Sequence, residues 1–207
     1  MLFTDLQYFG TIDFIKTLLK HQQVNYDAGA PFTKMSFKNR MVILTAQGPL
    51  NLTIPLIGGR DQKTALGDIF IDYETPWNAK HFKAIITAYK RSPYFEYYEQ
   101  SLSNLYSQDH EKLIDFLMAC QQWLNVQIKA NWEINLINHI TAQNTDQKDK
   151  YFSPWLPKNY QQSSIVPKYQ QVFEDKIGFI NNVSILDFLF CAGGKTVHAE
   201  LKKDTFK

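Results

Sequence analysis

Cysteine is nearly absent from this chain, and so are the common catalytic signatures. The two thiols, Cys120 in LMACQQW and Cys191 in FLFCAGG, sit in apolar surroundings with no C-x-x-C spacing, so neither a zinc site nor a disulfide framework is expected. Buried, reduced thiols and no metal are the reading. Charge of one sign is also missing: 22 basic against 20 acidic side chains leave a net charge of +2, far from the concentrated positive surface that nucleic-acid binding needs. No nucleic-acid partner is expected. No apolar run approaches the ~18 residues of a membrane helix, and MLFTDLQYFGTIDFIK lacks the basic start, continuous apolar stretch and small-residue cleavage site of a signal peptide. The chain reads as soluble and cytoplasmic, with no transmembrane segment.

Three motifs that would name a reaction are absent: G-x-S-x-G, H-E-x-x-H and G-x-G-x-x-G. GGKT at Gly193 to Thr196 matches the tail of a phosphate-binding loop, but Leu189 stands where that loop needs its first glycine. It also follows a predicted helix where it should precede one, so a P-loop is rejected.

Aromatic residues are plentiful, with 15 Phe, 11 Tyr and 4 Trp in 207 residues, which is enough for a substantial core in one domain. A helix is predicted from a Thr11 cap, with Ile12, Ile15, Leu18 and Leu19 at helical spacing. Strands are predicted at 41–46, 50–57 and 68–73, the first two as a hairpin. From Thr75, a cap followed by Pro76 at the first helical position opens the helix WNAKHFKAIITAYK, which Ser92-Pro93 ends. YFEYYEQSLSNLYS and HEKLIDFLMACQQWLNV continue as helices. A long polar loop is expected at about 141–170. Ser184 with Asp187 resembles a capping box for a short last helix ended by Gly193-Gly194. The predicted fold is α/β or α+β, a small mixed sheet packed by the central helices in a single domain spanning residues 1–207.

Two groups of side chains carry candidate chemistry. On the helix after Pro76, His81 shares an apolar arc with Trp77, Ala84, Ile85 and Ala88, while Lys80, Lys83 and Thr87 lie opposite. That arc suits a core histidine bonded through both nitrogens, or a titrating imidazole at a cleft. Lys34, Lys38, Asn39 and Arg40 crowd the entry to a strand, Arg60 and Lys63 come from a later loop, and Asp61 is the lone acid across 34–63. The set reads as a solvated basic face, or as an anion site in which Arg40 grips a phosphate or carboxylate and Asn39 orients it. Asp68, Asp72 and Glu74 bracket a predicted strand end and could supply a base or bind metal, though such residues more often finish a strand at the surface.

The stretches YFGTIDF, KMSFKNRMVI, LNLTIPL, PWNAKHFKAIITAYKRSPYFEYYEQSL and QVFEDKIGFINNVSILDFLF, in that order, resemble the WbqC-like protein family from about Leu6 to Gly194, and look most like its branch in Bacteroidetes-type bacteria. The resemblance marks Tyr8, Phe9, Lys34, Asn39, Arg40, Trp77, His81, Tyr89, Pro93, Phe95 and Asp187. It implies a transferase moving an aminoacyl or acyl group to an amino- or hydroxy-sugar in O-antigen or other surface-polysaccharide biosynthesis. Its partners would be an activated small-molecule donor and a sugar acceptor. On that basis His81 is expected to deprotonate the acceptor. Lys34, Asn39, Arg40 and Tyr8 would bind the donor's anionic part, with Trp77 as the cleft wall. Where relatives carry polar or acidic residues, this chain has AGAP at Ala28 to Pro31, which removes side-chain chemistry from that loop. The rival readings are a noncatalytic module binding a nucleotide-sugar, glycan or protein, and an acyltransferase working through Cys120 or Cys191.

Overall fold

The computed structural model describes residues 1–59, 63–138, 151–163 and 166–203. Three short strands, β1 (Leu2–Thr4), β2 (Gln23–Asp27) and β5 (Glu133–Ile137), form a parallel sheet in the order β1-β2-β5. Parallel neighbours cannot be joined by a tight turn, so each pairing needs a crossover. Between β1 and β2 the crossover is helix α1 (Ile12–Leu18), started by Thr11, whose hydroxyl accepts from the Phe14 N–H at 3.4 Å. Its apolar face, Ile12, Phe14, Ile15 and Leu18, is buried.

The crossover from β2 to β5 contains most of the rest of the molecule. It begins with an antiparallel hairpin, β3 (Arg40–Thr45) and β4 (Gly48–Thr53), in register from Arg40 opposite Thr53 to Thr45 opposite Gly48. Gly48 takes φ +113°, and the Thr45 hydroxyl donates to its carbonyl at 2.9 Å, a turn that side chains with a Cβ would strain. Helices α2 (Trp77–Tyr89), α3 (Phe95–Ser107) and α4 (Leu113–Ile128) follow; α2 packs on α3 and on β3. Of the predicted arc of α2, Trp77, His81, Ile85 and Ala88 are buried, joined by Tyr89, while Ala84 is half-buried.

After β5, residues 151–153 run along the free edge of β1, where the Phe152 N–H donates to the Phe3 carbonyl at 2.9 Å and the Thr4 hydroxyl donates to the Phe152 carbonyl at 2.7 Å. This strap covers an edge that would otherwise offer unpaired backbone groups. A four-residue turn of helix, α5 (Glu174–Ile177), leads to α6 (Ile185–Ala192) and α7 (Gly194–Leu201).

The prediction of an α/β fold in one compact unit stands, with corrections in detail. The sheet is not mixed: a parallel sheet and an antiparallel hairpin are separate. No strand forms at 68–73; a 3-10 turn at Leu66–Asp68 and isolated bridges Leu56–Ile71 and Phe70–Lys112 hold that segment instead. Pro76, not Thr75, occupies the N-cap of α2, without a side-chain cap bond. The Ser184 hydroxyl does cap α6 at the Leu186 N–H, 3.3 Å, but Asp187 does not complete a capping box. It is fully buried, accepting from the Tyr169 hydroxyl at 2.5 Å and the Gln171 amide at 3.1 Å. Of the long polar loop at 141–170, residues 141–150 and 164–165 lie outside the described residues.

Gly193 ends α6 with φ +77° and Gly194 begins α7 immediately, so GGKT is a helix-to-helix joint. A Cβ on Gly194 would stand 2.1 Å from the Gln127 carbonyl oxygen at the end of α4, a backbone atom with no room to yield. Gly194→Ala should therefore cost about 2 kcal/mol, read as a lower urea midpoint with an unchanged slope.

Candidate functional site

Parallel strands deliver their carboxyl ends to one edge of the sheet, and ligands of open α/β sheets bind in the crevice outside those ends. Here β1 ends at Thr4 and β2 at Asp27. A cleft of about 590 Å³ opens at that edge, lined by Asp5, Asp27, Lys34, Lys38, Tyr151 and Ser153 with the loop Gly29 to Pro31 and Leu156. The size suits a small-molecule ligand.

Asp5 follows β1 directly and organises one wall. Its Oδ1 accepts from the Lys38 ammonium at 2.9 Å and from the Tyr151 hydroxyl, and its Oδ2 accepts from Ser153 Oγ at 2.5 Å. The Lys38 side chain is 3% exposed and that of Asp5 18%, so the pair lies mostly away from water. A second Lys38 N–H reaches the Pro31 carbonyl at 3.2 Å. Burial, and then the Asp5 charge, push the Tyr151 hydroxyl well above its usual range; Asp27 adds to the same effect, which places Tyr151 within the field of both carboxylates. Asp27 closes a tight turn by accepting the Gly29 N–H at 2.9 Å.

The AGAP loop contributes backbone in place of side chains. The Ala28 N–H bonds the Ile137 carbonyl at 2.8 Å, the Ala28 and Ala30 carbonyls accept from Gly67 and Leu66 at 2.8 and 3.0 Å, and Pro31 holds Lys38. Small side chains leave this wall open.

Of the residues singled out in the sequence, Lys34 and Lys38 are in the cleft, Lys34 exposed on its rim and Lys38 buried in its wall. His81, Tyr8 and Trp77 come together elsewhere, in the core. His81 is 6% exposed and Tyr8 fully buried. The Tyr8 hydroxyl lies 3.0 Å from His81 Nδ1 and also bonds the Tyr106 hydroxyl. An imidazole N–H donates to the Thr53 carbonyl; a carbonyl can only accept, so that nitrogen carries the proton and Nδ1 accepts from Tyr8. The direction of the chain follows: Tyr106 O–H to Tyr8, Tyr8 O–H to His81, His81 N–H to Thr53. Trp77 meets the His81 ring edge-on at 5.3 Å between centroids and Phe116 at 5.2 Å.

Burial lowers the His81 pKa to about 4, an effect the Thr53 bond only partly offsets. The ring is therefore neutral at physiological pH.

Asn39 is buried as well, its amide donating to the Ile54 carbonyl at 2.9 Å while the Ile54 N–H returns to the Asn39 carbonyl at 2.9 Å. Arg40 heads β3 opposite Thr53, half-buried, its Nε without a partner among the described residues. Neither lines the cleft. Lys63 is exposed, and Arg60 lies outside the described residues. Asp68 pairs with Lys112 at 3.3 Å and Asp72 caps the Glu74 N–H at 2.8 Å, consistent with a structural surface role. Burial raises both thiols, Cys120 and Cys191, above their ordinary pKa, which leaves little thiolate for nucleophilic work.

Asp5 and Asp27 went unnoticed in the sequence. The signal was present in LFTD and VNYD, two short β-compatible runs each closed by an aspartate.

Residues 6–153 match the model of the WbqC-like protein family. The matched stretch contains Asp27, Lys34, Lys38 and Ser153 of the cleft and the buried Tyr8, Trp77 and His81, and stops short of α6, which the quoted motifs reach. No curated protein and no solved structure matches the chain.

Two outcomes follow. His81 has a folded pKa below its unfolded value, so the unfolded chain binds the extra proton between about pH 6.5 and 4 and stability falls as pH drops through that window. The loss is on the order of 3 kcal/mol. Asp187, raised to about 6 by burial, acts in the opposite sense: the folded state binds its proton first, and stability is lost as pH rises from about 4 to 6. In an Asp187→Asn background, urea titrations should therefore show the acid-side loss, and adding His81→Gln should flatten it. At the Asp5–Lys38 pair, Lys38→Met should cost about 3 kcal/mol by stranding the carboxylate, and the double variant Asp5→Leu/Lys38→Met should recover part of that loss in thermal melts.

Proposed function

Because the chain belongs to the WbqC-like protein family, we propose that it is a cytoplasmic transferase of surface-polysaccharide biosynthesis, of the O-antigen type, that moves an aminoacyl or acyl group onto an amino- or hydroxy-sugar. The observation that carries this reading is the cleft at the carboxyl edge of the parallel sheet, where two carboxylates, two ammonium groups and the hydroxyls of Thr33, Tyr151 and Ser153 meet. Lys34 holds the anionic part of an activated donor as a point charge on the rim. Asp27 takes the proton from the acceptor's amine or hydroxyl as that atom attacks the acyl carbon. The new bond to the acyl carbon forms, the bond to the donor's leaving group breaks, and the leaving group departs with the electron pair. Asp5 and Lys38, bound to each other and to the strap, fix the wall against which both substrates are oriented.

His81, Tyr8 and Trp77 serve in this account by position. Their relay joins the loop after β1 to α2 and to the end of β4, and so holds the segment between Asp5 and α1 in place. Asn39 and Arg40 set the start of the hairpin, whose preceding loop carries Lys34 and Lys38.

The noncatalytic reading, a module that binds a nucleotide-sugar or glycan in the same cleft, draws support from one fact. Asp5 and Lys38 spend most of their bonds on protein partners, leaving few groups for chemistry.

The test is acyl transfer from acetyl- or glycyl-coenzyme A to an amino-sugar phosphate, followed by mass spectrometry. Product should accumulate with wild type, fall at least 100-fold in Asp27→Asn and Lys34→Ala, and persist in Thr87→Ala on the opposite side of α2. Product from none of these pairs, or turnover indifferent to Asp27→Asn, contradicts the transferase role.

A further inference from the structure

The outer side of α2 is positive and has no acid of its own to offset it. From Thr75 to Phe95 the chain carries Lys80, Lys83, Lys90 and Arg91 and no aspartate or glutamate. Lys80 and Lys83, three residues apart, are neighbours on the helix surface. Both are exposed, and neither ammonium has a partner among the described residues. Two like charges so placed oppose the helix until an anion stands between them.

These two lysines line a groove of about 510 Å³ between α2 and the turn end of the β3–β4 hairpin, a size that suits a small-molecule ligand. Leu50, Ala84, Ala88 and Phe173 give it apolar walls. Ala84 and Ala88, one turn apart on α2, keep it open because their side chains end at Cβ. Leu50 is 39% exposed, apolar surface that a ligand would cover. The hydroxyl of Thr45, also in the lining, is spent inside the hairpin turn, donating to the Gly48 carbonyl at 2.9 Å and accepting the Gln47 N–H at 3.2 Å. No aspartate or glutamate lines the groove; Glu174, next to Phe173, accepts the Gln171 N–H at 3.1 Å. The groove shares no residue with the cleft at the carboxyl edge of the sheet.

A ligand that satisfies both parts has an aliphatic body and an anionic end. A small anion alone leaves the apolar walls in water, and an uncharged chain leaves the two like charges facing each other. We infer that this groove binds an alkyl phosphate: a single aliphatic chain laid on Leu50, Ala84, Ala88 and Phe173, with its phosphate, of roughly two negative charges, held between Lys80 and Lys83. The inference stands apart from the transferase reading, because none of these residues is in the cleft.

Isothermal titration of the full chain with octyl phosphate, octanol and inorganic phosphate separates the two parts of the site. Wild type should bind one equivalent of octyl phosphate at least tenfold more tightly than either of the others. The double variant Lys80→Gln/Lys83→Gln should weaken octyl phosphate at least tenfold. Lys129→Gln/Lys195→Gln, which changes two exposed lysines outside the groove, should stay within about twofold of wild type. Ala84→Phe fills the groove without changing the charge and should abolish binding of octyl phosphate. Leu50→Ser, on the exposed side of the hairpin, should weaken it at least threefold, and it carries the same test if Ala84→Phe does not fold. Inorganic phosphate or octanol binding as tightly as octyl phosphate, an equal loss in Lys129→Gln/Lys195→Gln, affinity indifferent to the groove variants, or no binding of octyl phosphate overturns the inference.

Discussion

Parallel pairing of three short strands is the constraint on which the rest of this structure depends. Strands as short as β1 and β2 contribute little by themselves, and their register is held by what crosses over between them. α1 makes one crossover, and the hairpin with α2, α3 and α4 makes the other. Because all three strands run the same way, Asp5 and Asp27 arrive at one edge without any local motif to bring them together. The Asp5–Lys38 pair then ties that edge to the loop before β3, and the strap hydroxyls of Tyr151 and Ser153 tie it to the chain after β5.

His81 illustrates how a helix face can suit two opposite roles. An imidazole among Trp77, Tyr8, Tyr106 and Phe116 can be a poised base where the face opens to solvent, or a neutral linker where it closes. Here the face closes: both ring nitrogens are bonded and burial holds the pKa near 4. A neutral imidazole with one donor and one acceptor links a hydroxyl to a carbonyl at no charge cost, which a buried lysine or carboxylate could not do. The proposed proton acceptor therefore moves to the strand end, where Asp27 is half-buried and lines the cleft.

The helices were legible because their apolar spacing is long and regular; α1, α2, α3 and α4 fall close to where periodicity placed them. The β3–β4 hairpin was legible because a turn separates two β-rich runs. The parallel strands were not. β1 has three residues, β2 carries Asn25 at its centre, and β5 is half-exposed, so none shows either the alternation of a one-sided strand or a long buried run. Without such a pattern the carboxyl edge of the sheet has no signature in the sequence, and the basic and aromatic patterning points to α2 and the start of β3 instead. Lys34 was identified through its local run of basic residues, whereas Asp5 and Asp27 become neighbours only through pairing across 21 residues of intervening sequence. Asp187 shows the converse error: a residue spacing that suits a capping box was spent on a buried tie to Tyr169 and Gln171.

The central claim is that ligand binds at the carboxyl edge of the parallel sheet and not on the inner face of α2. Hydrogen exchange read by mass spectrometry, with and without saturating glucosamine 6-phosphate, separates the two places. The account predicts slowed exchange confined to residues 27–38 and 151–156, with α2 unchanged. Slowing centred on 77–89, with residues 27–38 unaffected, would contradict it.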